Sequence, residues 1–246
     1  MDREILINVT REEVRVGLLE GGQVVEFYVE RKRDASLVGN IYKGRVVKIL
    51  PGMQSAFVDI GLERAAFLYV TDIHAGMEEY ATFLEEEEKD DSLELVSRKG
   101  RTDLTIEDIV QEGQEILVQV SKDPLGSKGA RLTSYVTLPG RYLVLMPGVE
   151  HIGISRRISD EVERTRLRTI VEDIKPKGYG LIIRTASESS TEEDLRKDLE
   201  FLLLLWETIQ KKKERVSAPS LLYSDFDLVL RSVRDLMSQD VKRLVI

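Results

Sequence analysis

The chain contains no cysteine. That excludes disulfides and thiolate metal ligands within it, and it suits a cytoplasmic location. Histidine is almost as scarce: His74 and His151 stand far apart and lack metal-ligand spacing. No Ser-His-Asp set, P-loop or glycine-rich dinucleotide fingerprint occurs. The longest apolar stretches, such as Phe201 to Trp206, fall far short of the about 20 residues needed to cross a bilayer. The opening residues Met1-Asp2-Arg3-Glu4 bring charges and no long apolar h-region follows them, so no secretory signal is expected.

What is present is a globular composition, with 42% apolar and 33% charged residues. A length of 246 residues is enough for one to three compact units. The net charge of −8 argues against a nucleic-acid partner until its distribution is read. Residues 70–112 carry 14 Asp or Glu and 4 Lys or Arg, a net −10, which leaves the rest of the chain at +2. Whole-chain charge therefore says little about any one face.

Three short strands are expected first, at Ile5–Ile7, Val14–Leu18 and Val24–Val29, with a turn at Gly21-Gly22. The charged connector Glu30–Asp34 marks a boundary. Five further strands are expected at Ile41–Leu50, Gln54–Ile60, Ala65–Val70, Ile116–Val120 and Ala130–Ser134. Pro51-Gly52, Gly61 and Gly126–Gly129 punctuate them, and a long acidic insert separates the third from the fourth. The pattern fits a small OB-type barrel and fits equally a small β-barrel without a ligand.

Residues 136–218 read as mixed α/β. Tyr142–Met146 and Leu181–Arg184 look like buried strands, and Ser159 is placed to cap a helix reaching about Ile174. Thr191 with Asp194 makes a capping pattern for a helix whose Leu195, Leu199, Leu202, Leu203, Trp206 and Ile209 share one face. Lys211–Lys213 suits that helix's negative end, as a solvated terminus rather than an RNA patch. Beyond Pro219 a helix carrying Leu228, Val229, Val233 and Leu236 precedes a strand at Val241–Ile246. That strand stops without a polar tail, so a truncated chain is expected.

No hydrolytic centre is evident: the Glu85–Glu88 run reads as a solvated loop, and no residues supply paired inward carboxylates for magnesium. Binding chemistry is easier to find. Phe57 and Phe67 sit on consecutive strands, either as stacking surface for bases or as barrel core. Lys43, Arg45, Arg64 and Lys128 are candidates for phosphate contacts. Arg184-Thr185 ends an apolar strand, where a guanidinium fork beside a hydroxyl matches a terminal phosphate, or else makes a surface ion pair. Ser155-Arg156-Arg157 offers a second cationic fork.

Several ordered motifs carry a resemblance. They are Asn40–Gly44, Ala56–Gly61 with Glu63-Arg64 and Phe67-Leu68, Tyr142–Pro147, Gly153–Ile158 and Gly180–Ala186. Together they resemble the ribonuclease E/G family of endoribonucleases. The resemblance implies an α+β multidomain fold: a five-stranded OB-type barrel of the S-one kind inserted into a ribonuclease H-like α/β subdomain, followed by a mixed α/β 5′-sensor region. The boundaries expected are 1–35 and 219–246 for the ribonuclease H-like parts, 36–135 for the barrel with its acidic insert at about 74–107, and 136–218 for the sensor.

By the same resemblance, Arg184 and Thr185 would bind a 5′-monophosphate, with Gly140, Val144 and Arg156 lining the pocket. Phe57, Phe67 and Lys128 would contact RNA. The parent enzyme would hydrolyse single-stranded RNA with magnesium, in RNA processing and decay, as a homo-oligomer joined through a zinc-binding cysteine link. The magnesium aspartates of the DNase I-like domain and the zinc cysteines have no counterpart here, so this chain is expected to capture RNA without cutting it. The rivals are a stand-alone single-stranded RNA-binding module and a structural β-rich protein in which Phe57, Phe67 and Arg184 only pack or pair.

Overall fold

The computed structural model describes residues 2–73, 105–238 and 240–246; most of the acidic insert, including Glu85–Glu88, lies outside the described residues. The chain forms two compact units: Met1–Leu37 with Asp225–Ile246, and the continuous stretch Val38–Ser224. The first unit is therefore split in sequence by the second.

The first unit begins with β1 (Arg3–Val9), β2 (Glu13–Glu20) and β3 (Gln23–Arg31), paired antiparallel in that order. Alternation dictates this. Ile5, Ile7, Val14, Val16 and Leu18 point to one buried face, with Leu6, Arg15 and Gly17 alternating between them.

The second unit starts with β4 (Ile41–Leu50), β5 (Ser55–Asp59) and β6 (Ala66–Tyr69). A short helix α1 (Ile106–Ile109), capped by Thr105 with Asp108, leads to β7 (Glu115–Lys122) and β8 (Arg131–Thr133). The strand order is β4-β5-β6-β8-β7, and β7 pairs back onto β4, closing a five-stranded barrel. Among the described strands of the barrel, only β6 and β8 pair in parallel. Ala56, Val58, Ala66, Leu68, Val118, Val120 and Leu132 fill the interior. Burying each aliphatic chain of valine or leucine size contributes about 1.5–3 kcal/mol.

β9 (Leu138–Pro139), β10 (Leu143–Pro147), β11 (Ile152–Ile154) and β12 (Tyr179–Ile183) form a second sheet of order β11-β12-β10-β9. Helices α2 (Glu161–Ile174) and α3 (Glu192–Arg215) cover one face. Leu143, Leu145, Leu181 and Ile183 there meet Leu167, Val171, Leu195, Leu199, Leu202 and Ile209. Leu203 and Trp206 pack at the edge of this core. Val144, Met146, Val149 and Ile182 make a smaller cluster on the other face. One sequence expectation is corrected. Asp160, not Ser159, caps α2, because its carboxylate accepts from Val162 N at 2.9 Å. The strands β9 and β11 are too short to give a readable alternation.

Strand β13 (Ser220–Tyr223), in the stretch 219–246 that the resemblance gave to the ribonuclease H-like parts, pairs with Ile41–Lys43 of β4. The chain then re-enters the first unit. There α4 (Leu228–Leu236) packs Leu228, Val229, Val233 and Leu236 on the apolar face of β1 and β2. Finally β14 (Val241–Val245) adds to β1 in parallel.

Candidate nucleic-acid interface

On β5 and β6 the residues between the buried ones are aromatic. Phe57 pairs with Phe67 across the strands, and Tyr69 follows two residues on, where the pleat returns to the same face. All three rings are partly exposed. They meet edge to face, Phe57 to Phe67 at 5.6 Å and Phe67 to Tyr69 at 4.4 Å. Both phenylalanines therefore line the outside of the barrel rather than its core.

These rings floor a groove of about 790 Å³. Its walls carry Lys48, Arg64, Lys128 and Arg131, with Val47 and Met53 at one side. Among the described residues, no Asp or Glu lines it. Arg64 donates from Nη1 to the Gly126 carbonyl, tying it to the loop that bears Lys128. That loop sits tightly on β6: a Cβ at Gly129 would lie 2.1 Å from the Ala65 carbonyl oxygen. Arg131 lies over the Tyr69 ring, 4.9 Å from its centroid, and donates from Nε and Nη2 to Asp72 at 3.0 and 2.9 Å. Burial pushes the Asp72 carboxyl up, and the Arg131 charge offsets this only in part. Tyr135 is pushed up to about 12 by burial and then by Asp72.

A second cationic site lies at the end of β12. Arg184 Nη1 donates to the Gly140 carbonyl at 2.6 Å, and Arg184 N donates to Tyr142 O at 2.8 Å. The Thr185 and Ser155 hydroxyls are 3.0 Å apart. Ser155 Oγ also accepts from Arg157 N, so the two segments named from sequence, Arg184-Thr185 and Ser155-Arg156-Arg157, meet through the Ser155 and Thr185 hydroxyls. Val144 stands beside Ile182 in the small apolar cluster on this sheet. Gly140 borders α3, with the Asp198 carboxylate where a side chain would begin.

The profile of the Ribonuclease E/G family matches residues 137–246. Ribonuclease G of Haemophilus influenzae is 45% identical over 98% of this chain and 46% of its own length. Ribonuclease G of Escherichia coli K12 is 43% identical over 99% of the chain and 47% of its own length. Ribonuclease E of Nostoc sp. is 42% identical over 85% of the chain and 28% of its own length.

The chain belongs to the ribonuclease E/G family.

It spans about half the length of the ribonuclease G relatives it matches. Of the RNA-contact residues expected from sequence in this ribonuclease E/G chain, Phe57, Phe67, Arg64 and Lys128 converge on the groove. Lys43 does not line it. Its ammonium pairs with Glu115 at 2.8 Å and donates to Val216 O at 2.9 Å. Arg45 shares Glu115 and donates to Ala218 O. The hydrogen bond from Lys43, followed by that from Ala218 N, holds the Glu115 carboxyl below its ordinary range.

Sequence reading missed Lys48, Tyr69 and Arg131. A bulge between Val46 and Lys48 places Lys48 opposite Phe57, which strict alternation along β4 does not foresee. Tyr69 was detectable in principle, since it continues the Phe67 face at a spacing of two. Among the described residues no three or more of His, Asp and Glu gather as a metal site, and no helix is long and apolar enough to cross a membrane.

Proposed function

We propose that this chain is the RNA-capturing part of a single-strand-specific endoribonuclease of RNA processing and decay. The aromatic groove of the S-one-type barrel takes unpaired nucleotides, and the Arg184-Thr185 site takes a 5′-monophosphate. The reading is supported most by the Phe57-Phe67-Tyr69 ladder, which lines a groove with, among the described residues, four cationic side chains and no acidic one. Rings offer sequence-tolerant stacking worth about 1–3 kcal/mol per base, while the lysines and arginines neutralise phosphates. A duplex cannot use such rings, because its bases are already stacked on each other.

The Arg184 site supports recognition of a 5′ end. A guanidinium anchored by a backbone carbonyl beside two hydroxyls suits a small tetrahedral anion. Fixed donors saturate one phosphate, and further phosphoryl groups are left without partners. Holding the 5′ end also raises the effective concentration of the downstream RNA at the groove. In the parent enzyme magnesium would activate water for phosphodiester hydrolysis. This chain is expected not to cut alone. Residues 1–35 with 219–246 are read as the ribonuclease H-like subdomain and 136–218 as the sensor region, in a cytoplasmic, homo-oligomeric parent.

Fluorescence anisotropy with a short unpaired RNA tests the reading. The RNA carries either a 5′-monophosphate or a 5′-hydroxyl. Tighter binding of the monophosphate, abolished by Arg184→Ala, supports both parts. Equal binding removes the sensor assignment and leaves the groove, and no binding of either RNA removes both.

A further inference from the structure

Three consecutive peptide units bridge Asp198 and Arg184. The Gly140–Arg141 peptide gives its N–H to Asp198 Oδ1 at 3.0 Å and receives Arg184 Nη1 on its oxygen at 2.6 Å. The Arg141–Tyr142 peptide gives its N–H to Asp198 Oδ2 at 2.9 Å and faces the same Nη1 at 3.4 Å. The Tyr142–Leu143 peptide gives its N–H to Asp198 Oδ2 at 2.9 Å, while its oxygen accepts from Arg184 N at 2.8 Å and Ser187 Oγ at 2.7 Å. Each unit thus has a carboxylate on its N–H side and Arg184 on its carbonyl side.

We propose that Asp198 is a positioning residue for the Arg184 guanidinium, acting through this turn; the inference rests on the phosphate-binding reading of Arg184. The physical reason is twofold. Three converging N–H groups are a backbone nest, and a carboxylate in it fixes the rotation of every peptide plane it touches. Hydrogen-bonded peptides in series also polarise one another, so the carboxylate strengthens the carbonyls that orient the guanidinium. Asp198 lies on the second turn of α3, whose Leu195, Leu199 and Leu202 are buried in the core on either side of it. The anchor is therefore held by a rigid element.

Gly140 acquires a specific role. A Cβ there would lie 2.5–2.8 Å from the Asp198 carboxylate atoms, so glycine admits the carboxylate into the turn. Gly140 was expected to line the phosphate pocket; its glycine character instead serves Asp198, and through it Arg184.

The test uses the whole chain and the same two RNAs. Asp198→Asn keeps the size but turns an amide NH2, itself a donor, toward N–H donors. It should lower the preference for the 5′-monophosphate by about tenfold, the scale of one charge-assisted hydrogen bond. Affinity for the 5′-hydroxyl RNA and the melting temperature serve as the fold check and should change little. Gly140→Ala displaces the carboxylate by another route and should give the same loss, with the double variant no worse than either single one. If Asp198→Asn does not fold, Gly140→Ala decides alone. A preference left intact by these variants overturns the inference while sparing the Arg184 reading. A parallel loss of 5′-hydroxyl affinity and stability overturns it as mere scaffolding. A wild-type chain with no preference overturns both.

Discussion

Arg131 lies over the Tyr69 ring, 4.9 Å from its centroid, while two of its nitrogens bond to Asp72. The cation is thus held from two directions and forms a fixed end wall to the aromatic groove. Tyr69 in turn touches Phe67, so three rings and one guanidinium make a continuous row.

Replacing Tyr69 should therefore cost binding in two ways, by removing a ring and by loosening Arg131. Tyr69→Ala should weaken single-stranded RNA binding by about 1–3 kcal/mol, and Tyr69→Phe by much less. Anisotropy titration measures this. Unaltered affinity in a folded Tyr69→Ala protein would remove Tyr69 from the interface.

Phosphate contacts should show as salt dependence. For a single strand, log K falls with log salt at a slope of about −0.7 per neutralised phosphate. Lys128→Gln should flatten that slope by about 0.7, as one contact disappears. Lys43→Gln should leave it unchanged, because Lys43 is spent on Glu115 and Val216 O. Equal slopes for wild type and Lys128→Gln would exclude the Lys128 contact.

These two lysines illustrate what was legible. The barrel strands and the apolar stripe of α3 follow from local periodicity, because alternation and the 3.6-residue repeat are imposed by burial. Phe57, Phe67, Arg64 and Lys128 lay on the right elements and met in space. Lys43 could not be judged locally, since its partners Glu115 and Val216 are distant in sequence. Lys48 depended on a bulge, and Asp198 on a tertiary contact between α3 and a turn. Strand β13 has only four residues and gains its meaning from β4, far away in the chain.

Gly129→Ala should destabilise the fold. Its Cβ would fall 2.1 Å from the Ala65 oxygen, a backbone atom that cannot rotate away. A loss of about 3 kcal/mol or more is expected for such overpacking. Urea unfolding measures it, and a change below about 1 kcal/mol would show that the loop can lift at little cost. RNA affinity should fall too, because the neighbouring Lys128 moves with the loop.

Acid should loosen the join between α2 and the loop after β12. The Arg166 hydrogen bonds, and then that from Ser189 N, bring the Glu163 carboxyl down to about 2 from 4.5. A depressed carboxyl contributes stability that is complete above pH 4.5 and disappears as pH falls toward 2. Partial exposure screens the pair, so about 1 kcal/mol is expected. Thermal melts of wild type and Glu163→Gln should differ at pH 6 and converge near pH 2. Parallel curves across that range would refute the contribution.

The pairing of β13 with β4 also determines how the protein can be divided or recombined. A cut after Thr137 would yield a barrel stripped of the strand that covers the first half of β4, with bare peptide groups along that edge. Such an excised barrel would be prone to sticking edge to edge. A chimera that exchanges barrels between relatives should therefore carry Ser220–Tyr223 along with the donor barrel, although more than eighty residues separate the two pieces in the chain.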